Sequence, residues 1–343
     1  MSARLVFIGL LSIMGVVFLL IILGMYIYMK RTTSSGKSLM EEAVNEQKNT
    51  EIMGLGEFLL YGSFIVIAVL YVIQMMNRES GGSPILAKAI LLPPVMALFN
   101  ARKRTGRTIF VFMATAIITF YMSMVYIIIS LPPKAPVLTI NSTQITMAHT
   151  SLGDITKDGF DIYVRQKESS NMDYNKLLTS GDYKKYPLDR SISLKKGFQR
   201  YNDTVYRAPY LLVKDGLVVG NIGFYGDKDR ETVIEDCKIV YLRLEKAYID
   251  VARANSISYK LDGVDLLDKL KLESLQKNFG DKLWLLPPSK PIDESQLHYG
   301  IQWTSGSDHL FWNQYFSYIH FDESNMMTSF DLSTEIGRDD HKK

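Results

Sequence analysis

The chain has 343 residues, of which 47% are apolar, 11% aromatic and 22% charged, with Lys+Arg 39 against Asp+Glu 36. This composition excludes a disordered chain, and the crowding of apolar residues before Pro133 excludes an ordinary soluble enzyme. A single cysteine, Cys237, excludes an intramolecular disulfide framework and any zinc site built on two or four cysteines.

Leu5 to Met29 carries no charge and is rich in Leu, Ile, Val, Phe and Met. At about 1.5 Å per residue it exceeds the roughly 30 Å hydrocarbon core of a bilayer, so residues 5–29 read as a first membrane span. A cleaved signal peptide is the alternative, because Arg4 precedes the run. The run is longer than a signal core, however, and no small-x-small cleavage site follows it. Residues 58–77 and 108–131 read as second and third spans by the same length argument. Tyr26, Tyr28, Tyr61 and Tyr126 fall near span ends, where a ring can keep its body in lipid and its hydroxyl among headgroups.

The loop of residues 78–107 carries Arg78, Lys88, Arg102, Lys103, Arg104 and Arg107 against Glu79. Short loops rich in Lys and Arg are retained in the cytoplasm. The expected protein is therefore a multi-pass plasma-membrane protein with its N-terminus inside and everything after Pro133 outside. Lys30 and Arg31, at the exit of the first span, argue for the opposite orientation. The cluster Arg102, Lys103, Arg104 and Arg107 serves as the topogenic signal and also stands where it can contact anionic headgroups. Pro84 to Phe99 is apolar but broken by Lys88 and Pro93-Pro94, and reads as an interfacial segment.

Leu131-Pro-Pro-Lys-Ala-Pro136 forms a stiff connector, since proline fixes its own φ and disfavours helix in the residue before it. Beyond it, residues 134–343 are expected to form an extracytoplasmic α+β domain, an antiparallel sheet with short helices. Tyr210–Val213 and Leu217–Tyr225 read as a hairpin closed by Asp215-Gly216. Ile239–Leu244, Tyr299–Trp303, His309–Trp312 and Phe316–Phe321 read as further strands, with Phe316, Tyr318 and His320 on one face. Leu272, Leu275 and Phe279 stand at helical spacing before Gly280.

Sliding the domain by about 120 residues sets Leu152 on Leu272, Ile155 on Leu275 and Lys157 on Lys277, each group preceded and followed by strands. This suggests two related units, 137–256 and 257–343. The short helix of Leu275-Gln-Lys-Asn-Phe-Gly280 followed by an antiparallel meander resembles the tandem units of beta-lactamase-inhibitor-protein-like and outer-membrane-assembly lipoprotein folds. Thr150-Ser-Leu-Gly-Asp-Ile-Thr-Lys-Asp-Gly-Phe160 is similar to a phrase of uncharacterised membrane-anchored surface proteins of Gram-positive bacteria. The resemblance implies a domain that binds other proteins without catalytic residues. Three spans in place of a lipid anchor depart from that pattern.

Chemistry is sparse. His298, His309 and His320 recur at regular intervals, but no His-x-His or His-Glu-x-x-His motif joins two ligands, so no metal is expected. Ser305, Ser307, Asp308 and His309 contain the members of a serine triad but are sequence neighbours, and a polar turn explains them better. The acidic run from Asp227 to Asp236 fails as a calcium loop because Thr232 stands where the loop needs Gly. Gly216, Gly220 and Gly223 lack the order of a nucleotide loop, and no basic stripe offers itself to nucleic acid. No cofactor is expected. Aromatic residues crowd the last part of the chain, and Trp303, Trp312, Tyr315 and Tyr318 are the candidate partner surface if they stand exposed, with burial in the core as the alternative. The expected function is a non-catalytic membrane-anchored binding module for a protein or cell-envelope partner. The alternative is a sensor or transporter accessory subunit that couples an external ligand to the 78–107 loop.

Overall fold

The computed structural model describes residues 3–34, 36–44, 104–130, 132–166, 173–187, 192–194, 210–227, 230–285, 298–304 and 310–337. The chain forms two compact units, Met1–Leu131 and Pro132–Lys343.

In the first unit, α1 (Ala3–Arg31) is a 29-residue helix with Lys30 and Arg31 in its last turn. Leu5, Leu10, Ile13, Leu19 and Leu20 are exposed along it. A helix apolar on all sides has no polar face for water, and this one is long and apolar enough to cross a membrane. The second long helix, α2 (Gly106–Ile129), carries Arg107 as its lone charge. Phe18 meets Phe120 edge-on at 6.1 Å, Tyr26 meets Phe110 at 5.7 Å, and the Tyr121 hydroxyl donates to the Leu11 carbonyl at 3.0 Å. The helix expected at 108–131 is thus shifted slightly toward the N-terminus, and it stops before Ser130, whose φ is 59°. Residues 58–77 lie outside the described residues, as do Arg102 and Lys103. Arg104 pairs with Val44 in a two-residue bridge, and Arg107 is exposed in the first turn of α2.

The second unit opens with the hairpin of β1 (Val137–Ile140) and β2 (Thr143–Thr146). There follow α3 (Leu152–Lys157), β3 (Phe160–Arg165), β4 (Tyr183–Lys185), β5 (Tyr210–Lys214), β6 (Leu217–Tyr225) and β7 (Lys238–Leu244). After α4 (Lys246–Ala254) come the hairpin of β8 (Tyr259–Leu261) and β9 (Val264–Asp265), then α5 (Leu272–Phe279), β10 (Leu283–Leu285), β11 (His298–Trp303), β12 (Gln314–Phe321) and β13 (Met327–Glu335). A nine-stranded sheet runs β10-β11-β12-β13-β7-β6-β5-β3-β4, and a four-stranded sheet runs β9-β8-β1-β2. Hairpin, short helix and antiparallel meander therefore occur twice in chain order. Both sheets are centred on a pairing between the halves, β13 on β7 in the large sheet and β8 on β1 in the small one. Read outward from those centres, the strands match one for one until β4, which has no counterpart among the described residues.

Local chemistry accounts for the elements. Asp215 and Gly216 both take positive φ, 51° and 78°, the conformation a two-residue turn needs to follow strand twist. Ser151 and Asp154 form a reciprocal capping box at the start of α3. Helix α5 ends at Gly280, with φ 52°. Sequence periodicity had not marked α4, although Tyr248, Ile249 and Ala252 form its buried face. The expected strand His309–Trp312 is not formed at its described residues, since Leu310–Trp312 turn and the strand resumes at Gln314. The Gly337 amide donates to the Asn313 side chain at 2.9 Å, fixing the turn just before β12.

One continuous core joins Leu138, Ile140, Tyr259 and Leu261 of the small sheet, Leu152, Ile155, Leu275 and Phe279 of the helices, and Ile222, Leu242, Ile319 and Phe330 of the large sheet. Tyr259 is fully buried, and its hydroxyl donates to the Val219 carbonyl at 2.8 Å, tying β8 to β6. A buried hydroxyl without such a partner would cost on the order of 1–3 kcal/mol.

Candidate functional site

Strand parity decides which aromatic residues reach the surface. On β11, Tyr299, Ile301 and Trp303 face the core, so His298, Gly300 and Gln302 face outward. On β12, Tyr315, Ser317, Ile319 and Phe321 face the core, leaving Phe316, Tyr318 and His320 outside. Of the four candidate surface residues, Trp303 is 1% exposed and Tyr315 3%, and they pair with each other across the strands. Both belong to the core: Phe279 packs edge-on against the Trp303 ring at 6.2 Å, and the Lys282 ammonium lies over it at 5.8 Å. Tyr318 on the outer face and Trp312 in the turn before β12 are both half-buried. Trp284, not among the expected surface residues, is 39% exposed.

The outer face is organised as a row of directly paired residues across the sheet. Trp284 pairs with Gly300, Gly300 with Tyr318, Tyr318 with Asp331, Asp331 with Arg243, and Arg243 with Asn221. Gly300 is required by the ring beside it: a Cβ there would stand 2.4 Å from Cε2 of the Trp284 indole. The indole thus lies against bare backbone, with Tyr318 edge-on to it at 6.4 Å and 73°. Farther along, the Tyr241 hydroxyl donates to Asp331 at 2.7 Å, while Arg243 Nε lies 3.8 Å from Asp331 and 3.4 Å from Glu245. Burial, followed by the neighbouring Asp331 carboxylate, holds the Tyr241 phenol far above its ordinary range. Arg243 is raised by Asp331 and its other neighbours against the opposing effect of burial.

Beside this row, His298 and His320 are direct cross-strand partners, with their Nδ1 atoms 2.5 Å apart and ring centroids at 4.5 Å. Burial, then the neighbouring His298, lowers the proton affinity of His320, opposed by Asp331. His309, Ser305, Ser307 and Asp308 lie outside the described residues. Of the three regularly spaced histidines, the fold brings these two together because they oppose each other in the β11–β12 register. Among the described residues no group of three or more His, Cys, Asp or Glu is placed to hold a metal ion.

Cys237 is fully buried, its thiol directed at the Val233 carbonyl at 3.2 Å. Burial, with Asp236 and Glu235 nearby, pushes it up to about 12, which keeps it a thiol and removes it as a nucleophile. The Asp262-Gly263 pair closes the β8–β9 turn with φ of 47° and 91°. Thr232 accepts from the Asp227 amide at 2.9 Å, and Asp227 accepts in turn from the Arg230 amide, which makes the acidic segment a hydrogen-bonded turn. The surface the sequence left unmarked, Trp284 on Gly300 beside Tyr318, was signalled only by the outward parity of Tyr318 and by a glycine inside a strand. Comparison with protein-family models, with curated proteins and with solved structures found no match to the chain.

Proposed function

We propose that the chain is a plasma-membrane-anchored binding module whose second unit engages a protein or cell-envelope partner, without catalysis, through the open outer face of β10–β13. The observation that carries this reading is the Trp284–Gly300–Tyr318 arrangement: a large ring held against backbone, part exposed, beside a second ring and the Arg243–Asp331 pair. Aromatic residues and arginine are the side chains that most often anchor interfaces, because they bury much surface at little entropic cost. A buried, high-pKa Cys237 and the turn structure of the acidic segments support a non-catalytic role.

In the same reading α1 crosses the bilayer and α2 runs antiparallel to it as a further span, since Tyr26 near the end of α1 lies against Phe110 near the start of α2 and Val44 pairs with Arg104 on that same side. Helix α2 fits by length and by its lone charge, Arg107, placed at the end where Arg102, Lys103 and Arg104 precede it. Those charges favour a cytoplasmic 78–107 loop and an extracytoplasmic second unit, so nucleic acid is not among the partners. The twofold recurrence of hairpin, helix and meander supports an origin by duplication, with units close to 137–256 and 257–343.

A photo-crosslinking residue placed at Trp284 or Phe316 of the full chain in its native membrane tests the function. Adducts to one partner from these positions, and none from Lys260 on the small sheet, are the expected result. Turnover of envelope substrates by the purified full chain, or equal crosslinking from Lys260, would refute it. A reporter enzyme active only outside the cytoplasm, fused after Lys343, tests the orientation separately, and a dead fusion would reverse it.

A further inference from the structure

We infer that His298 and His320 form a two-imidazole chelate for a late first-row divalent ion, of the Cu2+ or Zn2+ class, on the outer face of the β11–β12 hairpin. The inference goes beyond the binding-module reading and does not depend on it. The two residues are direct partners in the antiparallel register, so their Cβ atoms share one face about 5 Å apart. Both rings turn the same atom inward, Nδ1 to Nδ1, at 2.5 Å. In the metal-free protein one Nδ1–H donates to the other Nδ1, with the two neutral rings in opposite tautomers, and a divalent ion would replace that proton by taking both Nδ1 lone pairs while each ring carries its proton on Nε2.

The metal arrangement needs little movement. Bonds of about 2.0–2.1 Å at a tetrahedral angle set the nitrogens roughly 3.3 Å apart, so rotation about χ1 and χ2 by a fraction of an ångström per ring suffices. Imidazole is a preferred ligand of this class of ion, and affinity rises along the divalent series to Cu2+, with Zn2+ next to it. Both side chains are half-buried on the outer face, and water would complete the coordination from the solvent side. Asp331 lies near enough to His320 to act on it electrostatically, but it is engaged by Tyr241 and Arg243 and is not counted among the ligands. With two protein ligands the ion is exchangeable, unlike a closed structural site.

The test uses the full chain in detergent micelles, titrated with Cu2+ alone and with Zn2+ alone and followed by calorimetry. One ion per chain is expected, bound more tightly as Cu2+, with an electron paramagnetic resonance signal of two equivalent imidazole nitrogens. His298→Ala and His320→Ala should each weaken binding at least tenfold while circular dichroism and the melting temperature stay near wild type. His298→Asn and His320→Asn provide the same reading with more conservative side chains. His149→Ala, at an exposed histidine on another element, and His309→Ala should leave affinity unchanged. Wild-type affinity in either pair variant, or equal weakening by His149→Ala or His309→Ala, identifies an adventitious ion only and overturns the assignment.

Discussion

The two ends of the large sheet share a strand order but differ in what covers their outer faces. From the central Arg243–Asp331 pairing, one side continues through Asn221, Leu211 and Tyr163, the other through Tyr318, Gly300 and Trp284. On the first side Leu211, Val213 and Val218 are buried in a second small core, sealed by Leu177, Tyr183 and Tyr248. Tyr174 adds a roof hydrogen bond, its hydroxyl donating to the Val218 carbonyl at 3.1 Å. On the second side the place of Leu211 falls to Gly300, and among the described residues the covering group is the part-exposed indole of Trp284. The same scaffold thus closes one face with its own chain and presents the other. The sealed face serves stability, and the aromatic, ionic and imidazole groups of the other face are those on which the proposed binding role rests.

The largest effects should separate core from face within the same pair of strands. Trp303→Ala removes a fully buried ring and should cost about 3–5 kcal/mol of unfolding free energy. Trp284→Ala removes the part-exposed ring and should cost about 0.5–1.5 kcal/mol, the scale of its edge-on contact with Tyr318. Partner crosslinking should show the reverse order, falling tenfold or more for Trp284→Ala. Denaturant unfolding of both variants decides this, and equal destabilisation would erase the distinction between the two rings. Next in size, Leu211→Ala on the sealed side should cost about 2–5 kcal/mol without changing partner crosslinking.

Gly300→Ala sharpens the comparison at the mirrored position. Its Cβ meets the indole at 2.4 Å, so Trp284 must leave its seat. The expected cost is about 1–3 kcal/mol from overpacking, with loss of crosslinking comparable to Trp284→Ala and a shifted tryptophan emission. Unchanged emission would mean that the indole does not rest on this backbone.

Residue patterns revealed the scaffold better than the site, for physical reasons that individual residues make plain. Asp215-Gly216 announces its hairpin because positive φ at two successive positions is affordable to few residue pairs. Leu152/Ile155 and Leu275/Phe279 announce the short helices because burial on one helical face fixes their spacing, whereas Leu272, aligned with the buried Leu152, is 43% exposed. The proposed partner face is harder to read because Trp303 and Tyr318 are equally aromatic, and only strand parity, odd against even, sends one inward and the other out. Had the alternation that groups Phe316, Tyr318 and His320 been extended to Tyr315, it would have placed that ring in the core. Trp284 is legible only once β10 is paired with β11, a long-range fact that no local pattern encodes. The His298–His320 contact likewise follows from register and not from spacing.

The helix starts, where the two halves also differ, carry modest effects, the smallest of them at Lys271. Helix α3 begins with Ser151, which accepts from the Asp154 amide at 3.2 Å while its own amide and hydroxyl donate to the Asp154 carboxylate at 2.9 and 2.6 Å. At the corresponding start of α5, Lys271 makes no side-chain cap. Ser151→Ala should therefore cost about 0.5–2 kcal/mol, and Lys271→Ser should gain about 1 kcal/mol or less by supplying the missing acceptor. The hydrogen bonds from Ser151 hold the Asp154 carboxyl below its ordinary value. A carboxyl lowered in the folded state adds stability that is complete above its unfolded value, near 3.9, and is lost as pH falls through the folded value. The cap of α3 should thus weaken only in acid. Ser151→Ala should flatten the acid side of the stability profile, whereas Lys271→Ser, which adds no carboxylate, should raise stability without altering its shape. Melting temperatures measured from pH 7 down to pH 3 distinguish the two, and an unchanged acid limb in Ser151→Ala would show that the capping box does not carry this dependence.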